Sequence, residues 1–215
     1  MPEGPGTAPL APGGATGPFE GGGPRATGPF EGGGPGATGP FEGGPVELSG
    51  TEPVSPDQAR FREVLGHFVS GVTVVTTMGQ DGPHGFTCQA FAALSLSPAL
   101  VVFAPARTSL TWPRIRSAGV FCVNVLKDDQ EALGRVFATK GDAKFDGVGW
   151  GPSAKGCPIL AGALAWVECE LADVHDAGDH LLVIGRVLDL GAGEGHPLVF
   201  YRGGFYRGGF GAFPA

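Results

Sequence analysis

Across residues 163–174 the side chains alternate with a period of two. Ala165, Val167, Cys169 and Leu171 interleave with Trp166, Glu168 and Glu170. Successive side chains of an extended strand point to opposite faces, so this pattern sets one face on a core and leaves the other polar. Antiparallel sheets carry that pattern, whereas strands covered on both faces by helices read as continuous apolar runs. No G-x-G-x-x-G follows a strand to open a helix, and no P-loop, H-E-x-x-H or G-x-S-x-G is present. A Rossmann dinucleotide site is therefore not supported.

The sheet has to be built without the first quarter of the chain. Of the 215 residues, positions 1–55 hold 17 Gly and 11 Pro, a density that forbids a helix. An eleven-residue repeat, ATGPFEGGGPR in its first copy, starts at Ala15, Ala26 and Ala37. One Phe per repeat (Phe19, Phe30, Phe41) buries too little to offset the entropy of ordering the segment. Residues 1–54 are therefore expected to be a disordered tail. Its Phe-Glu pairs read either as stickers for a partner or as a duplicated neutral linker. With Arg25 against six glutamates, this segment carries −5 of the formal net charge of −7. The remainder, at −2, is nearly neutral and offers no nucleic-acid groove.

Order is expected from Ser55. Ser55-Pro56-Asp57-Gln58 supplies a cap hydroxyl, a proline at the first helical position and Gln three residues on. Phe61, Val64, Leu65 and Phe68 then form one apolar helical face, with Gly71 as the stop. Residues 72–77 read as a β-branched strand, and GQDG at 79–82 as a hairpin turn into a strand over 85–93. Ser97-Pro98 bends the chain into a further strand over 99–103, and a short helix follows over 112–116. Beyond a strand at 120–126, Asp128 is read as the cap of a helix to Phe137 that buries Ala132, Leu133, Val136 and Phe137. Residues 138–162 read as loop, with Pro158-Ile159-Leu160 pinned to the core, and strands return at 180–190 and 198–202. About seven strands with short connections and peripheral helices predict a mainly β protein, a closed or split β-barrel.

Cys88, Cys122, Cys157 and Cys169 are widely spaced with no C-x-x-C pair, so reduced, buried thiols are expected rather than a metal site or a disulfide framework. No leader sequence is visible and no apolar run reaches the length of a membrane span, which together predict a cytoplasmic protein.

Three polar clusters are candidate chemistry. In the first, His84, Gly85, Phe86, Thr87, Cys88, Gln89 and Ala90 combine small and hydroxyl side chains with a strand backbone. A flat ligand with a heteroatom edge needs such a surface, although tightly packed buried strands read the same way. In the second, Ala106-Arg107-Thr108-Ser109 follows, just past Ala104, the strand that ends at Phe103. They read as a phosphate grip or as caps of the next helix. In the third, Gly178-Asp179-His180 opens a strand, and its histidine is either a hydrogen-bonded structural residue or a ligand contact at a sheet end.

These pieces sit in a longer set: GHFVSGVTVVTT, DGPHGFTCQAFAALSLSPALVVF, FCVNVL, the pairs Phe137-Ala138 and Lys144-Phe145, GCPILAGALAWVECEL, GDHLLVIGRV and PLVFYRGGF. Taken in order from about Phe61 to Phe205, they resemble the flavin reductase-like family, the reductase partners of two-component flavin monooxygenases. The resemblance implies an FMN-binding split barrel spanning residues 55–210, usually a homodimer. It also implies a reaction in which NADH or NADPH reduces FMN or FAD, with a flavin-dependent monooxygenase receiving the product.

By the same resemblance, the flavin ring lies against the His84–Ala90 segment, with Thr87 near its polar edge. Its side chain and phosphate follow the segment from Phe103 to Ser109. His180 is placed beside the nicotinamide, and Phe205 or Tyr206 covers the site. Family members often carry Tyr where this chain has Phe205, and Cys88 and Gln89 replace commoner small or Ser/Asn residues. Two alternatives stand beside this reading: a split-barrel flavoprotein that retains its FMN and acts on another small molecule, and a non-catalytic flavin-binding module.

Overall fold

The computed structural model describes residues 57–141 and 143–207. The readings of the 1–54 tail and of the Ser55-Pro56 start signal lie outside these residues. The first helix, α1 (Gln58–Leu65), is capped by Asp57, whose carboxylate accepts from the Ala59 N–H at 3.3 Å. It stops at Gly66 rather than at Gly71, and Gly71 instead ends the short strand β1 (Ser70–Gly71). No residue of α1 is buried: Phe61 is 52 % exposed and Leu65 54 %, and Phe68, just beyond the helix, is 80 % exposed. The apolar face is real in the pattern, but none of the described residues buries it.

The chain continues through β2 (Thr73–Gly79), β3 (Gly82–Cys88), β4 (Phe91–Leu96) and β5 (Ala99–Phe103) to α2 (Trp112–Ala118) and β6 (Val120–Val125). After α3 (Glu131–Ala138) and a 3-10 turn come β7 (Trp150–Pro152), β8 (Pro158–Leu160) and the long hairpin β9 (Ala165–Ala177) and β10 (His180–Ala192). The last strands are β11 (Val199–Tyr201) and β12 (Gly204–Tyr206). Seven strands form one antiparallel sheet in the order β3-β2-β6-β9-β10-β5-β4, while β1-β11-β12 and β7-β8 form two small sheets.

The stretch read as one strand over 85–93 is two. Gln89-Ala90 interrupts it, and β4 pairs with β5 at the opposite end of the sheet order from β3. Both end strands nevertheless feed one interior: Cys88 of β3 and Phe91 of β4 join Val75, Phe103, Phe121 and Val183, with Trp112 and Ile115 of α2 closing it. The sheet therefore curls around its core. Because β2 alternates, its next residue Val74 faces a second cluster with Val72, Leu126, Phe137, Leu160 and Leu198.

Three local expectations change. Gln130, not Asp128, precedes α3, and the helix buries Gly134 and Phe137 while Ala132 and Val136 are exposed. The segment 138–162 is not plain loop, since β7 and β8 pair within it. Pro158 and Leu160 are pinned as expected: the Leu160 N–H donates to Asn124 Oδ1 at 2.8 Å, and the Thr76 hydroxyl donates to the Pro158 carbonyl at 2.6 Å. That pinning also covers the face of β9 read as polar. Glu168 is 1 % exposed and accepts from the Ser153 hydroxyl and, at 3.0 Å, from the Lys155 N–H. A buried carboxylate is tolerated because those donors replace its water.

Candidate functional site

A cavity of about 280 Å³ opens at the seam between the two apolar clusters. One wall is β3, contributing Pro83, His84, Gly85, Phe86 and Thr87. The second is the connection after β5, with Ala106, Thr108, Ser109, Leu110 and Thr111. The third runs from the end of α3 through Phe137, Ala138, Thr139, Lys140 and Gly141 to Lys144 and Phe145. Two of the three clusters singled out in the sequence thus share one site, and the third wall was not foreseen. Its lysines are separated by glycine and acidic residues in an apparent loop, so no periodic pattern marks them as neighbours of β3.

Local chemistry explains how these walls stay apart. Lys144 Nζ donates to the Gly85 and Phe137 carbonyls, each at 3.2 Å, which ties the third wall to the first. The Thr111 hydroxyl donates to the Gly85 carbonyl at 3.2 Å and joins the second wall to the same point. Gly85 is fixed by sterics as well: a Cβ there would lie 2.7 Å from Phe137 Cε1. Thr87 Oγ1 donates to the Gly134 carbonyl of α3 at 2.6 Å, so its hydroxyl is engaged with the protein while it lines the cavity.

The remaining candidate residues lie elsewhere. Cys88 is 5 % exposed, its thiol lies 3.6 Å from the Ala90 carbonyl, and burial pushes it up to about 11. Phe103 is fully buried, with its ring centroid 5.0 Å from that of Phe121. Neither reaches the cavity, because both point into the closed interior of the curled sheet. Gln89 and Ala90 are exposed at the break between β3 and β4, and the Ala90 carbonyl accepts from the Ala104 N–H at 3.0 Å. The aromatic pair near the C-terminal glycines packs in the small sheet: Phe205 sits 5.3 Å from Phe200 and under the Arg135 guanidinium, and Tyr206 stands against Tyr201.

Arg107 turns away from the cavity. Its Nε donates to the Gly178 carbonyl at 2.8 Å and its terminal nitrogen meets Asp176 at 2.5 Å. Ser109 acts partly as a helix cap, its hydroxyl accepting from the Trp112 N–H at 3.2 Å. His180 does not line the cavity; its Nδ1 lies 2.7 Å from Asp179 Oδ1, and that contact holds the Asp179 carboxyl below its ordinary range. The turn carrying it is nonetheless joined to the second wall, since the Arg107 N–H donates to the Asp179 carbonyl at 3.0 Å and Ala106 bridges His180.

Chemically, the lining combines the aromatic faces of Phe86, Phe137 and Phe145 with hydroxyls of Thr108, Ser109 and Thr111. Among the described residues it holds the imidazole of His84 and the ammonium groups of Lys140 and Lys144, with no carboxylate. A planar, partly apolar molecule with an anionic end fits this donor set, since aromatic walls meet a ring while hydroxyls and ammonium groups meet an anion.

The flavin reductase like domain matches residues 65–209. The reductase subunit HsaB of a flavin-dependent monooxygenase from Mycobacterium tuberculosis is 48% identical over 152 residues, 69% of this chain and 81% of that protein. An FMN reductase (NADH), SmoA of Agrobacterium fabrum, is 41% identical over 155 residues, 72% of this chain and 88% of its own. Among solved structures, the Streptomyces globisporus NADH:FAD oxidoreductase SgcE6, in complex with NAD and FAD fragments, superposes with a TM-score of 0.69 at 34% identity. That match covers 76% of this chain and all of the other.

Proposed function

This chain belongs to the flavin reductase-like family and is an NAD(P)H-dependent flavin reductase of the kind that serves a partner monooxygenase; we propose that the cavity between β3, the 106–111 connection and the 137–145 segment is where it holds flavin. What supports the reading is one observation: aromatic walls, hydroxyl groups and the lysines Lys140 and Lys144 meet in a single cavity. When bound there, the flavin supplies the redox chemistry, taking a hydride from reduced nicotinamide.

The chain's own contribution is positional. Phe137 and Phe145 offer apolar surface and exclude water from one side, and the Gly85–Thr87 backbone lines the other. Lys140 and the Thr108 and Ser109 hydroxyls are placed to bind the anionic end of the ligand. His180, on the turn clamped to the second wall, orients the nicotinamide side and balances charge without acting as a nucleophile. Such a reaction needs juxtaposition of the two cofactors rather than a general base.

In this reading the curled seven-stranded sheet is a split barrel and residues 55–210 are the reductase domain. Residues 1–54 are an appendage that the reaction does not use. The protein works as a homodimer in the cytoplasm: Phe68, Leu96, Leu110 and Leu190 are 80 %, 95 %, 67 % and 63 % exposed in one protomer, a load that a second copy relieves. Four free thiols suit a reducing compartment.

The test is a cavity-filling substitution. Thr108 is exposed and lines the cavity, so Thr108→Trp adds bulk there without overpacking the core. Loss of flavin binding, measured by flavin fluorescence, with an unchanged melting temperature is the expected result. Undiminished affinity in that variant would move the flavin elsewhere.

A further inference from the structure

His84 is the titratable cavity residue with a built support. Its side chain is 11% exposed, and its Nε2 lies 2.8 Å from Asp81 Oδ1 in the β2–β3 turn. Asp81 Oδ2 is in turn 2.8 Å from Arg114 of α2, so a guanidinium, a carboxylate and an imidazole form a chain that ends in the cavity wall. The ring also packs on Gly79: a Cβ there would lie 2.9 Å from both Cδ2 and Nε2 of His84, so a larger residue would displace the ring.

With Nε2 committed to the carboxylate, Nδ1 is the nitrogen without a protein partner among the described residues. A carboxylate on one imidazole nitrogen fixes the tautomer and orients the ring. The groups around it are Asp81 and Arg114, which largely offset one another in charge, with Lys140 and Lys144 also lining the cavity.

From this arrangement we propose that His84 is a specificity-determining residue whose protonation strengthens binding of phosphorylated over unphosphorylated flavin. The inference rests on the flavin reading of the cavity and adds to it a titrating contact held by Asp81 and Arg114. The sign follows from linkage. A bound phosphate favours the charged imidazole, so the gain in affinity is present at acid pH and is lost as pH rises through the imidazole range.

The experiment measures dissociation constants of FMN and of riboflavin for the full chain at about pH 6 and about pH 8. It compares wild type, His84→Gln and Asp81→Asn, each checked for fold by circular dichroism. The phosphate of FMN itself titrates near pH 6, and comparing wild type with His84→Gln removes that contribution. In wild type the preference for FMN over riboflavin falls by about fivefold more between the two pH values than it does in His84→Gln. Asp81→Asn, which removes the carboxylate that holds the ring, loses part of the same pH-dependent preference, a change that a merely structural His84 would not produce. Equal pH dependence of the preference in wild type and His84→Gln overturns the inference while leaving the cavity assignment intact. Failure of wild type to bind either flavin at both pH values overturns the cavity assignment and the inference together.

Discussion

Arg107 and Asp176 lie 69 residues apart in sequence, yet their side chains meet at 2.5 Å, and the same guanidinium donates to the Gly178 carbonyl. This clamp joins the cavity wall that carries Thr108 and Ser109 to the turn that carries His180. Arg107→Ala is expected to lower turnover about tenfold while changing flavin affinity less than about twofold, because it loosens a geometry rather than removing a ligand contact. Arg107→Lys should fall between them, since an ammonium cannot reproduce the planar fork. Steady-state kinetics separating kcat from KM checks this, and a change confined to KM would return Arg107 to a binding role.

Gly85 is predicted to be intolerant of any side chain. A Cβ placed 2.7 Å from Phe137 Cε1 and 3.2 Å from Thr76 Cγ2 forces the first and third walls apart. Gly85→Ala should cost about 1–3 kcal/mol of stability and weaken flavin binding together. Thermal melting and a flavin titration on the same sample measure both.

The two lysines of the third wall should separate. Lys140 is exposed and lines the cavity, whereas Lys144 is half-buried and spans the Gly85 and Phe137 carbonyls. Lys140→Ala is expected to weaken FMN several-fold more than riboflavin, with a difference that shrinks as salt is raised. Lys144→Ala should instead lower the melting temperature and weaken both flavins equally.

The strands were largely legible from the chain because alternation and β-branched runs report burial directly. Three things were not. The Gly85 stretch changes partner at Gln89-Ala90, and a strand that swaps ends of a sheet looks continuous in sequence. Glu168 keeps the polar phase of its strand but is covered by the hairpin just before it, and residues 138–162 read as loop, so its partner Ser153 was not anticipated. Phe61 and Phe68 follow the helical period, yet within one chain they face solvent. At the site, His84 through Thr87 and Thr108-Ser109 stood out by their chemistry. Lys140, Lys144 and Phe145 did not, because their nearness to β3 comes from tertiary folding.

Burial governs the thiols. It pushes Cys88 and Cys157 up to about 11 and Cys169 up to about 12, and it raises Cys122 further. In the folded protein all four should resist a thiol reagent at about pH 8, where an unfolded cysteine reacts. The linkage has a definite sign. Folded values above the unfolded one give stability that is complete below about pH 8.5 and declines as pH rises toward about 11. Labelling with and without denaturant, and melting temperatures across alkaline pH, test the two halves.

The measurement that bears most directly on the central claim is anaerobic oxidation of NADH and NADPH by the full chain, with and without added FMN or FAD. Turnover that requires added flavin and accumulates reduced flavin in solution is the predicted result. A protein that holds flavin tightly yet leaves both nicotinamides unoxidised would contradict the account.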